Sequence, residues 1–130
     1  MKRLLIVDDE QDHRLVLQDM LQSHDYMCDE ANDGIMAAEK LLRYSYDLVV
    51  TDCNMPRMDG LQLIDYMSDH PSLRTLPVIL VTGVMPCLSA RVRGNTNLRA
   101  VHTKPYDIKR LLASIAKASH EAACEIPLAG

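Results

Sequence analysis

Short, wholly apolar runs alternate along this chain with longer stretches in which apolar residues return every three or four positions. Leu4-Leu5-Ile6-Val7 is the first run, and residues 12–24 follow with Val16, Leu17, Met20 and Leu21 on one helical face. The more polar segment 26–31 reads as a second strand. Asn32-Asp33-Gly34 then turns into a helix ending near residue 44, with Ile35, Ala38, Leu41 and Leu42 in helical spacing. Leu48-Val49-Val50 is a third strand closed by Asp52, and a loop through Pro56 and Gly60 leads to a helix over 61–67 with Leu63, Ile64 and Met67 inward. Pro71 and Pro77 bracket a connector to the fourth strand, Val78-Ile79-Leu80-Val81. A weaker helix over 87–93 precedes a fifth strand over 99–103. The last helix, over 108–120, turns Leu111, Leu112, Ile115 and either Ala116 or Ala118 inward.

Strand alternating with helix throughout predicts an α/β domain with a parallel sheet covered on both faces. The first, third and fourth runs are continuously apolar, as strands buried on both sides are. The second (Met27-Cys28-Asp29-Glu30) and fifth (Ala100-Val101-His102) are mixed and belong at the edges. The resulting order, 2-1-3-4-5, is that of a doubly wound, flavodoxin-like three-layer sandwich, whose functional crevice lies at the carboxyl ends of the first and third strands. One domain is expected over 1–120, with 121–130, which holds Pro127 and few apolar anchors, as a flexible tail or linker.

Composition narrows the function. The 14 basic residues against 18 acidic ones leave a net charge of −4, which argues against a nucleic-acid binder working through bulk positive charge. No apolar run approaches the ~20 residues that span a bilayer. The apolar start breaks off at Asp8-Asp9-Glu10, short of the roughly 7 residues a secretory leader needs, so a cytoplasmic location is expected. Cys28, Cys53, Cys87 and Cys124 are widely spaced and read as reduced thiols rather than a disulfide or zinc framework. With no Phe, the 8 Met residues are expected to fill gaps in the core.

The residues following the central strands carry the chemistry. The first strand ends in Asp8-Asp9-Glu10, the third in Asp52, the fourth in Thr82 and the fifth in Lys104-Pro105. The expected topology gathers them on one rim. Aspartates crowded there repel one another, and a hard divalent cation relieves the repulsion. Few protein ligands and several waters suit Mg²⁺, bound through one or two carboxylates plus phosphate oxygens. Lys104 brings a mobile point charge for a phosphoryl oxygen, and Thr82 a hydroxyl donor for a second. Each feature alone is commonplace at a turn or helix cap. Their joint arrival at successive strand ends is not.

Over about residues 2–120 the chain resembles the receiver domain of two-component response regulators. The resemblance rests on Val7-Asp8-Asp9-Glu10, Asp52-Cys53-Asn54-Met55-Pro56-Arg57-Met58-Asp59-Gly60, Thr82-Gly83 and Thr103-Lys104-Pro105-Tyr106. It implies that Asp52 takes a phosphoryl group from a phosphohistidine on a histidine kinase or phosphotransfer protein. It further implies that Asp9 and Asp52 hold Mg²⁺ directly, that Asp8 acts through water, and that the Asn54 backbone carbonyl adds a ligand. Lys104 and Thr82 would contact the phosphoryl oxygens, and a cis peptide would precede Pro105. A carboxylate is a competent covalent nucleophile, and catalysis in this chemistry is mainly positioning and charge stabilisation. The domain would thus catalyse only its own phosphorylation and dephosphorylation.

One departure bears on output. Receivers usually carry Tyr or Phe three residues before the lysine, where this chain has Val101, so signalling through local rearrangement near the 87–93 helix is expected instead of an aromatic flip. Arg91, Arg93 and Arg99 form either a solvated basic patch or a docking surface for an acidic partner. His13, at the start of the first helix, is expected simply to be exposed, with a place at the kinase interface as the alternative. An aspartyl-phosphate phosphatase would need a DxD pattern after the first strand and a covering cap, and neither is present. A binding-only module would have lost an acid, the Thr or the Lys, and all are retained. Context stays open between a stand-alone receiver and a module of a hybrid kinase or longer regulator.

Overall fold

In the computed structural model of the chain, residues 1–83 and 97–128 are described, with side chains through residue 119. Five parallel strands, β1 (Arg3–Val7), β2 (Met27–Ala31), β3 (Leu48–Asp52), β4 (Val78–Thr82) and β5 (Leu98–Thr103), form a sheet in the order β2-β1-β3-β4-β5. Helices α1 (Gln11–Gln22), α2 (Gly34–Arg43), α3 (Gly60–Asp69) and α4 (Ile108–Leu128) cover its faces. The helix expected over 87–93 lies outside the described residues.

Side-chain alternation along the strands builds the three layers. On one face Leu5, Val7, Val49, Val78 and Leu80 pack with α2 and α3 through Ala37, Leu41, Leu63, Ile64 and Met67. On the other Leu4, Ile6, Leu48, Val50, Ile79 and Val81 pack with α1 and α4 through Leu17, Leu21, Leu111, Ile115 and Ala118. Every residue of β3 and β4 is buried, whereas β2 and β5 are only partly so, as their mixed composition requires. Pairing of β5 with β4 slips by one residue after Leu98, an irregularity suited to an edge.

The helix starts show why the chain folds locally as it does. Asp33 caps α2, its carboxylate accepting from the Met36 amide at 2.8 Å. Asp59 and Gln62 form a reciprocal capping box at α3, with bonds of 2.8 and 2.9 Å. Three expectations need correction. Val16 is 64% exposed and Leu42 58% exposed, because each lies at the border of its apolar stripe, where one residue's rotation carries it out of the core. The last helix passes the expected end near residue 120 and continues to Leu128. Glu121-Ala122-Ala123-Cys124-Glu125 includes strong helix formers, which outweigh the break expected from Pro127. Of the two candidates on that helix, Ala118 is buried and Ala116 exposed.

Candidate functional site

Strand register sets the site. Val7 lies opposite Thr51 and Asp52 opposite Val81, so Asp8 emerges beside Asp52 at the carboxyl end of the two central strands. Thr82 pairs with Thr103, and the Lys104 amide donates to the Thr82 carbonyl at 2.7 Å, which brings the lysine round to the same rim. The Lys104–Pro105 peptide is cis, as the resemblance implied.

At this rim Asp8, Asp9 and Asp52 each present a carboxylate oxygen within 4.8 Å of the others. Asp8 and Asp52 are buried or nearly so, while Asp9 is exposed. Lys104 reaches in over both, its Nζ 3.4 Å from Asp52 Oδ2 and 3.5 Å from Asp8 Oδ2. Burial raises the pKa of Asp52, with Lys104 acting against that shift and the Asp8 charge adding to it. For Lys104, burial works against its charge, but the Asp8 and Asp52 carboxylates outweigh it and hold the ammonium above its ordinary pKa. The lysine is thus a fixed cation at neutral pH. Thr82 is fully buried at the tip of β4, and Asn54 is exposed two residues past Asp52. Cys53, next to the site, is a buried thiol whose pKa burial pushes up, so it stays protonated. Among the described residues Cys28 and Cys53 are free, and neither sits in a disulfide.

The loops that present these groups are tied down by contacts the sequence pattern did not reveal. Arg14 is mostly buried; its Nη1 donates to the Asp8 carbonyl at 2.6 Å and its Nε to Glu30 at 2.7 Å, clamping the acidic loop to the end of β2. The sequence signal for it is a cation one helical turn after Glu10. Arg57, in the left-handed region at φ 66°, ion-pairs with Asp33 at 2.6 Å and ties the β3–α3 loop to the start of α2. Nearby, the Gly34 amide donates to the Met58 carbonyl at 3.0 Å, and a Cβ on Gly34 would lie 2.5 Å from that oxygen. Gly60 abuts the Asp52 carbonyl so closely that no Cβ fits between them. His13, expected to be merely exposed, also reaches the lysine, with Nδ1 3.3 Å from Lys104 Nζ. A cavity of about 510 Å³ opens beside Asp52 and Lys104, walled in part by Val16, Leu17, Tyr106 and Ile108.

A five-stranded sheet of this order with an acid cluster and a lysine at its carboxyl rim defines a phosphoacceptor-type α/β module. The response regulator receiver domain profile matches residues 4–116, and the chain belongs to that family. It is 41% identical over 75 residues to the sensor protein EvgS of Escherichia coli strain K12, covering 58% of this chain and 6% of that protein. It is 42% identical over 79 residues to the sensor histidine kinase RcsC of Salmonella typhimurium, covering 61% of this chain and 8% of that protein. The matched part of the chain therefore spans under a tenth of the length of these relatives. Among solved structures, the signal receiver domain of a signal transduction histidine kinase from Syntrophus aciditrophicus superposes with a TM-score of 0.84 at 26% identity, covering 93% of this chain and 92% of that one. The response regulator protein TrrA from Thermotoga maritima, in complex with Mg²⁺-BeF, superposes with a TM-score of 0.75 at 28% identity, covering 91% and 99%.

Proposed function

We propose that the Asp52 carboxylate accepts a phosphoryl group from a phosphohistidine on a histidine kinase or histidine phosphotransfer protein, with Mg²⁺ held at the acid cluster. The observation that carries this reading is the meeting of Asp8, Asp9, Asp52 and Lys104 at one rim from three strand ends. The donor set suits the ion, since carboxylate oxygens this close are hard ligands for a small divalent cation. Asp9 and Asp52 would hold it directly, Asp8 through water, and the Asn54 carbonyl would complete the protein's share. When bound, Mg²⁺ supplies positive charge against the phosphoryl oxygens.

The remaining work falls to the chain's own residues. An Asp52 oxygen forms the new bond to phosphorus as the bond to the donor's imidazole nitrogen breaks. Lys104 contacts one phosphoryl oxygen and the Thr82 hydroxyl donates to another. In this reading the domain itself makes and breaks only its own acyl phosphate. Among the described residues no helix is long and apolar enough to cross a membrane. Likeness to segments of sensor kinases favours a place in a phosphorelay, whether the chain acts alone or within a longer protein. Position 101 holds Val, partly buried against the α2–α3 face of the core, so no aromatic ring turns there, and in this reading output passes through local loop rearrangement.

The test is incubation with Mg²⁺ and a small phosphodonor, read by intact mass. One phosphoryl group is expected, released by hydroxylamine and absent in Asp52→Asn or under a chelator. Label persisting in Asp52→Asn overturns the assignment.

A further inference from the structure

Lys104 is held in an unusual way. Its ammonium stands 3.4 and 3.5 Å from the two carboxylates, whereas the Arg14–Glu30 and Arg57–Asp33 pairs close to 2.7 and 2.6 Å. Charge-assisted bonds of this kind normally close to about 2.7–2.9 Å. The third neighbour of the ammonium is His13 Nδ1, nearer than either acid at 3.3 Å. An ammonium has only protons to give, so Nδ1 faces it as an acceptor and the ring proton belongs on Nε2. Nε2 in turn lies 3.3 Å from Glu10 Oε2, within the same helix start. Glu10, His13 and Lys104 thus form a chain in which each proton faces an acceptor.

We propose that His13 is a positioning residue for Lys104: it shares the ammonium with the acids, so that the lysine stays at the rim without closing onto Asp8 and Asp52. The inference rests on the phosphoacceptor reading of that site. A lysine fully closed on the two carboxylates would occupy the oxygens that a divalent cation needs, and would have to break that pair before meeting a phosphoryl oxygen. A ring nitrogen accepting beside it lowers both barriers. His13 is about half exposed (47% for its side chain), so replacing it leaves the core intact.

The test is a double-mutant cycle on the full chain, pairing His13→Ala and His13→Gln with Lys104→Met. Mg²⁺ binding is read by calorimetry and phosphorylation by intact mass with a small phosphodonor at saturating Mg²⁺. His13→Ala is expected to weaken Mg²⁺ binding by about tenfold, the scale on which outer residues tune a metal site, and to slow phosphorylation. His13→Gln, which keeps an acceptor, is expected to restore most of both. In the Lys104→Met background His13→Ala is expected to change Mg²⁺ binding no further. An equal loss in that background, or no loss in the parent, overturns the proposal. A parent protein that binds Mg²⁺ but takes no label overturns the Asp52 reading instead, and the calorimetric cycle still decides the role of His13.

Discussion

Arg57 grips Asp33 with Nη2 2.6 Å and Nε 2.7 Å from the same carboxylate oxygen. The other oxygen of Asp33 caps α2. One buried side chain therefore starts a helix and anchors the loop that leads away from Asp52.

A pH dependence follows from that arrangement. Burial opposes the Asp33 charge, but the Met36 amide and Arg57 outweigh it, and its pKa in the folded protein is lowered. A depressed carboxylate stabilises the fold above its unfolded pKa, near ~3.9, and that contribution fades as pH falls through the folded value. Asp33→Ala is expected to cost about 1–3 kcal/mol at neutral pH through the lost cap and the stranded arginine. Urea unfolding at a series of pH values checks both parts: the gap between parent and variant should narrow below pH ~4.

Arg14 makes a different prediction. Its Nη1 bond holds the Asp8 carbonyl and its Nε bond the Glu30 carboxylate, so the acidic loop is fixed through its backbone and not through the rim carboxylates. Arg14→Ala is expected to lower Mg²⁺ affinity by about tenfold. Arg14→Lys should recover little, because an ammonium cannot span both acceptors as the guanidinium fork does. Calorimetric titration of the folded variants measures this. Unaltered affinity would mean that the turn closed by Asp8 and the Glu10 amide, at 2.9 Å, holds the loop alone.

The border of α1 offers a stability test. Leu17 is 7% exposed and Val16 64%, though they are adjacent in sequence. Leu17→Ala is expected to cost about 2–5 kcal/mol, and Val16→Ser to stay within about 0.5 kcal/mol of the parent. Denaturant midpoints at constant slope give the comparison directly.

These cases show where sequence reading stops. The sheet order was legible because burial on both faces demands unbroken apolar runs, and β1, β3 and β4 have them while β2 and β5 do not. The rim was legible because a parallel sheet brings all strand ends to one side, so Asp8, Asp52, Thr82 and Lys104 could be grouped from their positions alone. Helical periodicity cannot separate Val16 from Leu17, or Leu42 from Leu41. Neighbours differ by ~100° of rotation, and the width of the buried stripe is set by what packs against it. Contacts such as Lys104–His13, Arg14 with the Asp8 carbonyl and Arg57–Asp33 depend on rotamers and on the meeting of distant loops, which no spacing rule encodes.

The strand that ends in Asp52 divides its side chains between the two halves of the interior, Leu48 and Val50 to one and Val49 to the other. It acts as a common spine. A change at its tip therefore meets packed neighbours in both helical layers.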